Sequence, residues 1–473
     1  MSMTPAEQRV LDRIDEELLV RVTCQLLQAT GQNPPGEEAA TVAVLAAAAR
    51  ELGLEVSISP VEPGRDNLSI KLAGGNGPGL LILGHTDVVP VGDGWTTDPY
   101  GGIVKDGRIY GRGASDMKGG LAAALIALAA LRGTNLNGRV ELAAVVDEEE
   151  TGKGIRAYVA QAPQATPPST PTTPTPRTPA TTDALTTSPV AATPAATTTH
   201  GHTTAPDGPD APGGENHLGE ALSGAKADGS ADARGGVDAH RAADGGFVGC
   251  ITAEPTDLQT IIAARGDSYL RVTIHGWACH AGNPDDGANA IYGAAAVVAE
   301  IERLHAELAA DPHPLLGPAT WSVGQINGGT GGSIVPAECV IVADRRLLPG
   351  ESPAAVLDDL RSRVAALRLE DRGLSVELEM PMEMPAFETA ADAELVQVVE
   401  AARVDAGGPD LPLAGWTAAC DGGYVARDLG VPVVVLGPGS VTTQAHRADE
   451  SVPITDLITA ARTYALAALR LLT

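Results

Sequence analysis

Leu80-Leu-Ile-Leu-Gly-His85-Thr-Asp87 is the stretch on which the fold of this chain turns. A run of about four to eight apolar residues bounded by glycine reads as a buried strand, and this one ends on an imidazole and a carboxylate. The same theme returns in Gly113-Ala-Ser-Asp116-Met-Lys-Gly-Gly120, Val145-Val-Asp147-Glu148-Glu149, Ile251-Thr-Ala-Glu254-Pro255 and Gln444-Ala-His446. Open α/β sheets hold their ligands beyond the carboxyl ends of the strands. Two histidines and several acids are therefore expected to converge on one edge of one sheet. Imidazole with carboxylate, and no thiolate, suits a catalytic site of the zinc type.

Working outward, residues 6–29 and 37–52 carry helical periodicity, and strands are expected at 55–59, 68–72, 80–83 and 140–146. The apolar segment 117–131 reads as a buried helix beginning at Asp116. From 163 to 245 the chain turns Thr/Pro/Ala-rich and then Gly/Asp/Ala-rich. Such a composition cannot bury enough apolar area to offset its ordering entropy, so a disordered insert is expected there. Strand pattern resumes at Phe247. Between 266 and 378 the order strand, helix, strand, strand, helix, strand suggests a ferredoxin-like unit. Helix and strand then alternate to a last helix at 454–472. The expected architecture is α/β. A catalytic domain with a mixed sheet spans 1–264 and 385–473, and a ferredoxin-like α+β lid or dimerisation domain spans 265–384.

The bulk composition agrees with a globular chain rather than a wholly disordered one. The chain has 473 residues, 44% of them hydrophobic, and a formal charge of −28. That charge argues against nucleic acid and anionic membranes as partners, since both need a basic patch. The five cysteines are scattered with no Cys-x-x-Cys pair, which points to reduced, cytoplasmic thiols. No signal peptide or long apolar span is visible.

The candidate ligands define a chemistry. In His85-Thr-Asp87 the histidine can bind metal while the aspartate orients it. Asp116 has two oxygens and can bridge two ions. Glu149, Glu254 and His446 supply further donors. Of Glu148 and Glu149, one can bind metal while the other takes a proton from water, as metal-assisted hydrolysis requires.

With these residues in view, the chain resembles the zinc-dependent amidohydrolase and metallopeptidase family of acetylornithine deacetylase, succinyl-diaminopimelate desuccinylase, aminoacylase and glutamate carboxypeptidase. The resemblance rests on Gly84-His-Thr-Asp-Val-Val-Pro90, Trp95-Thr-Thr-Asp-Pro-Tyr-Gly-Gly102, the run from Asp106 to Gly120, Asp147-Glu-Glu149, Glu254-Pro-Thr256, His280-Ala-Gly282, Asp344-Arg-Arg-Leu-Leu-Pro-Gly350, and His446 with Glu450. It implies two zinc ions, with cobalt able to substitute. His85 and Glu254 would hold one, Glu149 and His446 the other, and Asp116 would bridge. Asp87 would orient His85, and Glu148 would be the general base. His280 would steady the oxyanion, reaching it from a partner subunit of a homodimer, and Arg346 would grip a substrate carboxylate. Ser333 stands where the family often has an asparagine that contacts substrate. The run Glu148-Glu149-Glu150 leaves the base and ligand register open by one place.

The implied reaction is hydrolysis of the amide bond of an N-acyl amino acid or small peptide. Two rivals are weaker. A phosphate loop at 111–120 lacks the Gly-Lys-Ser/Thr ending. A metal-binding or ligand-binding protein that keeps the fold without catalysis would need no base beside Glu149.

Overall fold

Within an all-apolar run, alternation decides which layer each side chain serves. The protein is described by a computed structural model covering residues 3–162 and 246–473. Helices α1 (Pro5–Leu11), α2 (Glu16–Gln28) and α3 (Ala39–Glu51) precede strands β1 (Glu55–Glu62), β2 (Arg65–Leu72) and β3 (Gly77–His85). A hairpin of β4 (Ile103–Lys105) and β5 (Arg108–Tyr110) leads to α4 (Lys118–Ala130), β6 (Gly138–Val145) and α5 (Lys153–Gln161). Next come β7 (Phe247–Thr252), β8 (Ile261–Ala264), β9 (Gly266–His275), α6 (Ala290–Leu308), β10 (Thr320–Gly328), β11 (Glu338–Leu347), α7 (Pro353–Ala366) and β12 (Ser375–Met384). The chain closes with β13 (Phe387–Glu388), α8 (Glu394–Asp405), β14 (Ala414–Trp416), the single turn α9 (Gly422–Tyr424), β15 (Val433–Val435), β16 (Ser451–Pro453) and α10 (Ile454–Leu471).

Nine strands form one mixed sheet, ordered β1-β2-β6-β3-β7-β15-β8-β13, with β14 beside β8. Its centre, β6-β3-β7-β15, is parallel. On β3, Leu80 and Ile82 pack with α2, α4 and α10, while Leu81 and Leu83 pack on the other face with Ile155, Tyr424 and Val433. Both faces are covered, which is why the sequence reads as a continuous apolar run. Helix α4 is apolar on nearly every side because the sheet lies on one side of it and α10 and α2 on the others.

A second, antiparallel sheet is ordered β10-β11-β9-β12, the pairing of a ferredoxin-like βαββαβ unit. Leu270, Val272 and Ile274 on β9, and Ile341 and Ala343 on β11, alternate inward against α6 and α7. The chain leaves the large sheet at the end of β8 and re-enters it at β13, which pairs antiparallel with β8.

Two expectations change. The single helix over 6–29 is two helices, because Asp15 starts the second by accepting the Leu18 amide at 2.9 Å. The helix expected from Asp116 starts at Lys118 without a side-chain cap, since the Asp116 carboxylate faces two imidazoles instead. The insert expected at 163–245 lies outside the described residues. Among those described, no helix is long and apolar enough to cross a membrane.

Candidate metal centre

The parallel centre of the large sheet explains why ligands distant in sequence meet. His85 ends β3, the acidic run 147–149 follows β6, and Glu254 follows β7. These strands are neighbours in register, so their carboxyl ends present side chains to one crevice. Asp116 enters from the turn before α4, and His446 from the loop between β15 and β16.

Two clusters result, and they share one residue. His85 Nε2 lies 3.2 Å from Asp116 Oδ1 and 3.7 Å from Glu254 Oε1. His446 Nε2 lies 3.3 Å from Asp116 Oδ2 and 3.2 Å from Glu149 Oε2. In each cluster one ligand atom per residue falls within 4.8 Å of the others. Asp116 thus turns one oxygen to each imidazole. Glu149 Oε1 is buried and accepts no hydrogen bond, which is costly unless a cation or other partner meets it. Donor types, spacing and this orphaned oxygen all fit a pair of divalent cations. The first cluster is buried, whereas the His446 side chain is 53% exposed and marks the open side.

Asp87 organises the floor of the site. Its backbone oxygen lies 3.0 Å from His85 Nδ1; a proton on Nδ1 would leave the Nε2 lone pair facing Asp116 and Glu254. Its carboxylate accepts the Glu148 amide at 3.2 Å and the Glu149 amide at 3.1 Å, so one aspartate ties the first histidine to the acidic turn. Asp147 and His446 hold left-handed backbone, φ 67° and 60°, uncommon for residues with side chains. Glu148 is half-buried and Glu150 is exposed.

Protonation follows from crowding. Burial pushes the Glu148 carboxyl well above the ordinary range, and Glu254, Asp421 and Glu149 add to this against the pull of His85. Burial opposes charge on His85, yet Glu254, Asp116 and Asp87 hold its pKa well above that of free imidazole. Hydrogen bonds to Asp116 and then Glu149 push His446 up to about 10.

His280 and Ser333 come together elsewhere. Their segments pair across the lid, with a bridge between His280 and Ile334 and the Ala281 amide on the Ser333 oxygen at 2.9 Å. Both are exposed, and among the described residues neither shares a hydrogen bond or ion pair with the acidic clusters. Arg345 is buried against Glu351 and Trp321. Arg346 is the more open of the two, held by Asp344 at 2.9 Å and Asp267 at 3.3 Å.

Three further residues at the centre were not singled out from sequence. Asn33 Nδ2 donates to Asp87 at 2.9 Å and to Asp147 at 3.2 Å, and Arg65 adds an ion pair to Asp147 at 2.9 Å. The only local signal is the rigid turn Asn33-Pro-Pro-Gly36. Asp421 is buried, and neither carboxylate oxygen accepts a hydrogen bond; burial, with help from Asp87 and Asp147, pushes it up to about 8.

Residues 81–470 match the family described as peptidase family M20/M25/M40. The acetylornithine deacetylase of Klebsiella pneumoniae (strain 342) is 27% identical over 411 residues, covering 85% of this chain and 82% of that protein. Among solved structures, the M20 family metallo-carboxypeptidase of Sulfolobus solfataricus superposes with a TM-score of 0.67 at 17% identity, covering 96% of this chain and 99% of that one. A dinuclear metal-binding M20 peptidase of Bacillus subtilis gives 0.61 at 14% identity, covering 97% and 98%.

Proposed function

The chain belongs to peptidase family M20/M25/M40 and is an amide-bond hydrolase, and from that premise we propose that it cleaves an N-acyl amino acid or small peptide at a two-metal centre. The observation that carries this reading is the Asp116 carboxylate, with one oxygen toward each histidine cluster. His85 and Glu254 would hold one ion, Glu149 and His446 the other, and Asp116 both. Zinc is the proposed metal, with cobalt as substitute. When bound, such a pair supplies Lewis-acid polarisation and lowers the pKa of water.

The chain's own groups do the rest. Asp87 holds the His85 ring in orientation and pins the Glu148 and Glu149 amides. Glu148 accepts the proton of the attacking water on its carboxylate and returns it to the leaving nitrogen. Its crowded, half-buried setting supports that role, since a raised pKa suits a base that must later act as an acid. Arg346 is the candidate grip for a substrate carboxylate, a task suited to a guanidinium, and His280 and Ser333 are the candidate lid contacts. Exposed Trp277, Ile291, Tyr292 and Ile334 flank the His280 segment, which supports a homodimer through the lid and delivery of His280 to a partner. A reduced, cytoplasmic setting goes with this reading.

Glu148→Gln tests it. Turnover on a panel of N-acyl amino acids and dipeptides should fall roughly 10²–10⁴-fold, with zinc content by elemental analysis unchanged. Full turnover would remove Glu148 as base, and loss of zinc would make it a ligand instead.

A further inference from the structure

Glu450 lies outside both ligand clusters, yet it is 1% exposed and every hydrogen bond it accepts leads back to them. Its Oε1 accepts the amides of Ser115 at 2.8 Å and Asp116 at 3.0 Å. Its Oε2 accepts the Gly113 amide at 3.0 Å and Arg112 Nη1 at 2.7 Å. Four donors on two oxygens fill the carboxylate's capacity. The partner guanidinium, 2% exposed, continues outward. It donates to the Arg447 oxygen at 3.2 Å, beside His446, and to the Val91 oxygen at 3.0 Å, in the loop that follows His85. It also lies 5.2 Å from the centre of the Trp95 ring. One buried ion pair therefore touches the segments that carry Asp116, His446 and His85.

We propose that Glu450, backed by Arg112, is the positioning residue that fixes Asp116 between the two imidazoles and so sets the spacing of the two ion sites. This rests on the two-metal reading above. The chemistry demands a carboxylate: three backbone N–H groups and a guanidinium converge, and only an acceptor with two oxygens and a negative charge serves all of them. A glutamine would turn its amide NH2, itself a donor, toward N–H donors on one side and leave Arg112 without its counter-charge. The bridging residue would then lose the support of its own backbone amide. Glu450 and His446 also sit on one short segment.

The experiment is a zinc titration of the metal-free protein against a chromogenic chelator, comparing the wild type with Glu450→Gln, with the thermal midpoint of each recorded alongside. Glu450→Gln should bind at least one of the two ions about 10–100-fold more weakly, the usual cost of losing a residue that supports a ligand. Cobalt loaded in place of zinc should show an altered visible spectrum, a signature that a merely structural role would not move. A folded variant with wild-type affinities and an unchanged cobalt spectrum would overturn the proposal. Should the variant not fold, hydrogen exchange in the metal-free wild type decides. The amides of Gly113, Ser115 and Asp116 should already be protected before zinc is added; protection appearing only with zinc would refute a preset loop. A wild-type protein that takes up no zinc at all would instead strike at the two-metal reading itself.

Discussion

His446 and His85 are expected to be charged in the metal-free protein, each for the same reason: neighbouring carboxylates outnumber them. Hydrogen bonds to Asp116 and Glu149 raise His446 from 6.5 to about 10, and His85 is raised despite its burial. A pKa raised by folding adds stability that is complete below 6.5 and fades as pH climbs toward 10. An imidazole must be neutral to bind a metal, so the same protons must leave when ions arrive. Calorimetric zinc titrations at pH near 8, in buffers of different ionisation enthalpy, should therefore show net proton release, and affinity should rise with pH through this window. Proton uptake on binding would contradict the assignment of both histidines as ligands. The proposed ligands His85, Asp116, Glu149 and Glu254 stood out in the sequence because each follows a strand signal or a glycine-rich turn, and His446 through the resemblance of its segment to the family. Asn33 and Asp421 could not. Their place in the site comes from approaching Asp87 and the acidic turn in space; Asn33 shows only a proline-rich turn, and nothing around Asp421 distinguishes it from a loop residue.

At the scale of elements, close packing of backbone sets the site's dimensions. A Cβ at Gly120, on the first turn of α4, would lie 2.3 Å from the Ala253 oxygen, next to Glu254. A Cβ at Gly437 would lie 2.4 Å from that oxygen and 2.5 Å from the Glu254 oxygen. The Glu254 segment is thus pressed between a helix and the end of β15, with room for hydrogen alone. Gly120→Ala must push α4 and this segment apart, at a cost of about 1–3 kcal/mol for overpacking. Chemical denaturation should show a lower midpoint, and zinc titration a weaker site. Unchanged stability would mean that the contact relaxes freely. Long apolar elements such as β3 and α4 announced themselves, because burial on both faces leaves an unbroken hydrophobic run. The hairpin β4–β5 and the short strands β8, β13 and β14 did not, since two to four residues carry no period, and their pairing depends on what the rest of the sheet leaves open.

At the scale of the whole molecule, the βαββαβ order was legible because all six of its elements are long, whereas the mixed strand order of the large sheet was not, since sequence does not say which parallel neighbour a strand takes. The position of β7 between β3 and β15 has a consequence for how the chain can be divided. Residues 1–162 contain His85, Asp87, Asp116, Glu148 and Glu149, and residues 246–473 contain Glu254 and His446. Neither piece holds the complete set of proposed ligands, and the first lacks the strand that should cover the open side of β3. Produced as two separate polypeptides, they should be inert alone and regain zinc-dependent hydrolysis on mixing, as a split enzyme whose two parts reconstitute a single centre. Activity in either piece by itself would show that the centre is not shared in this way.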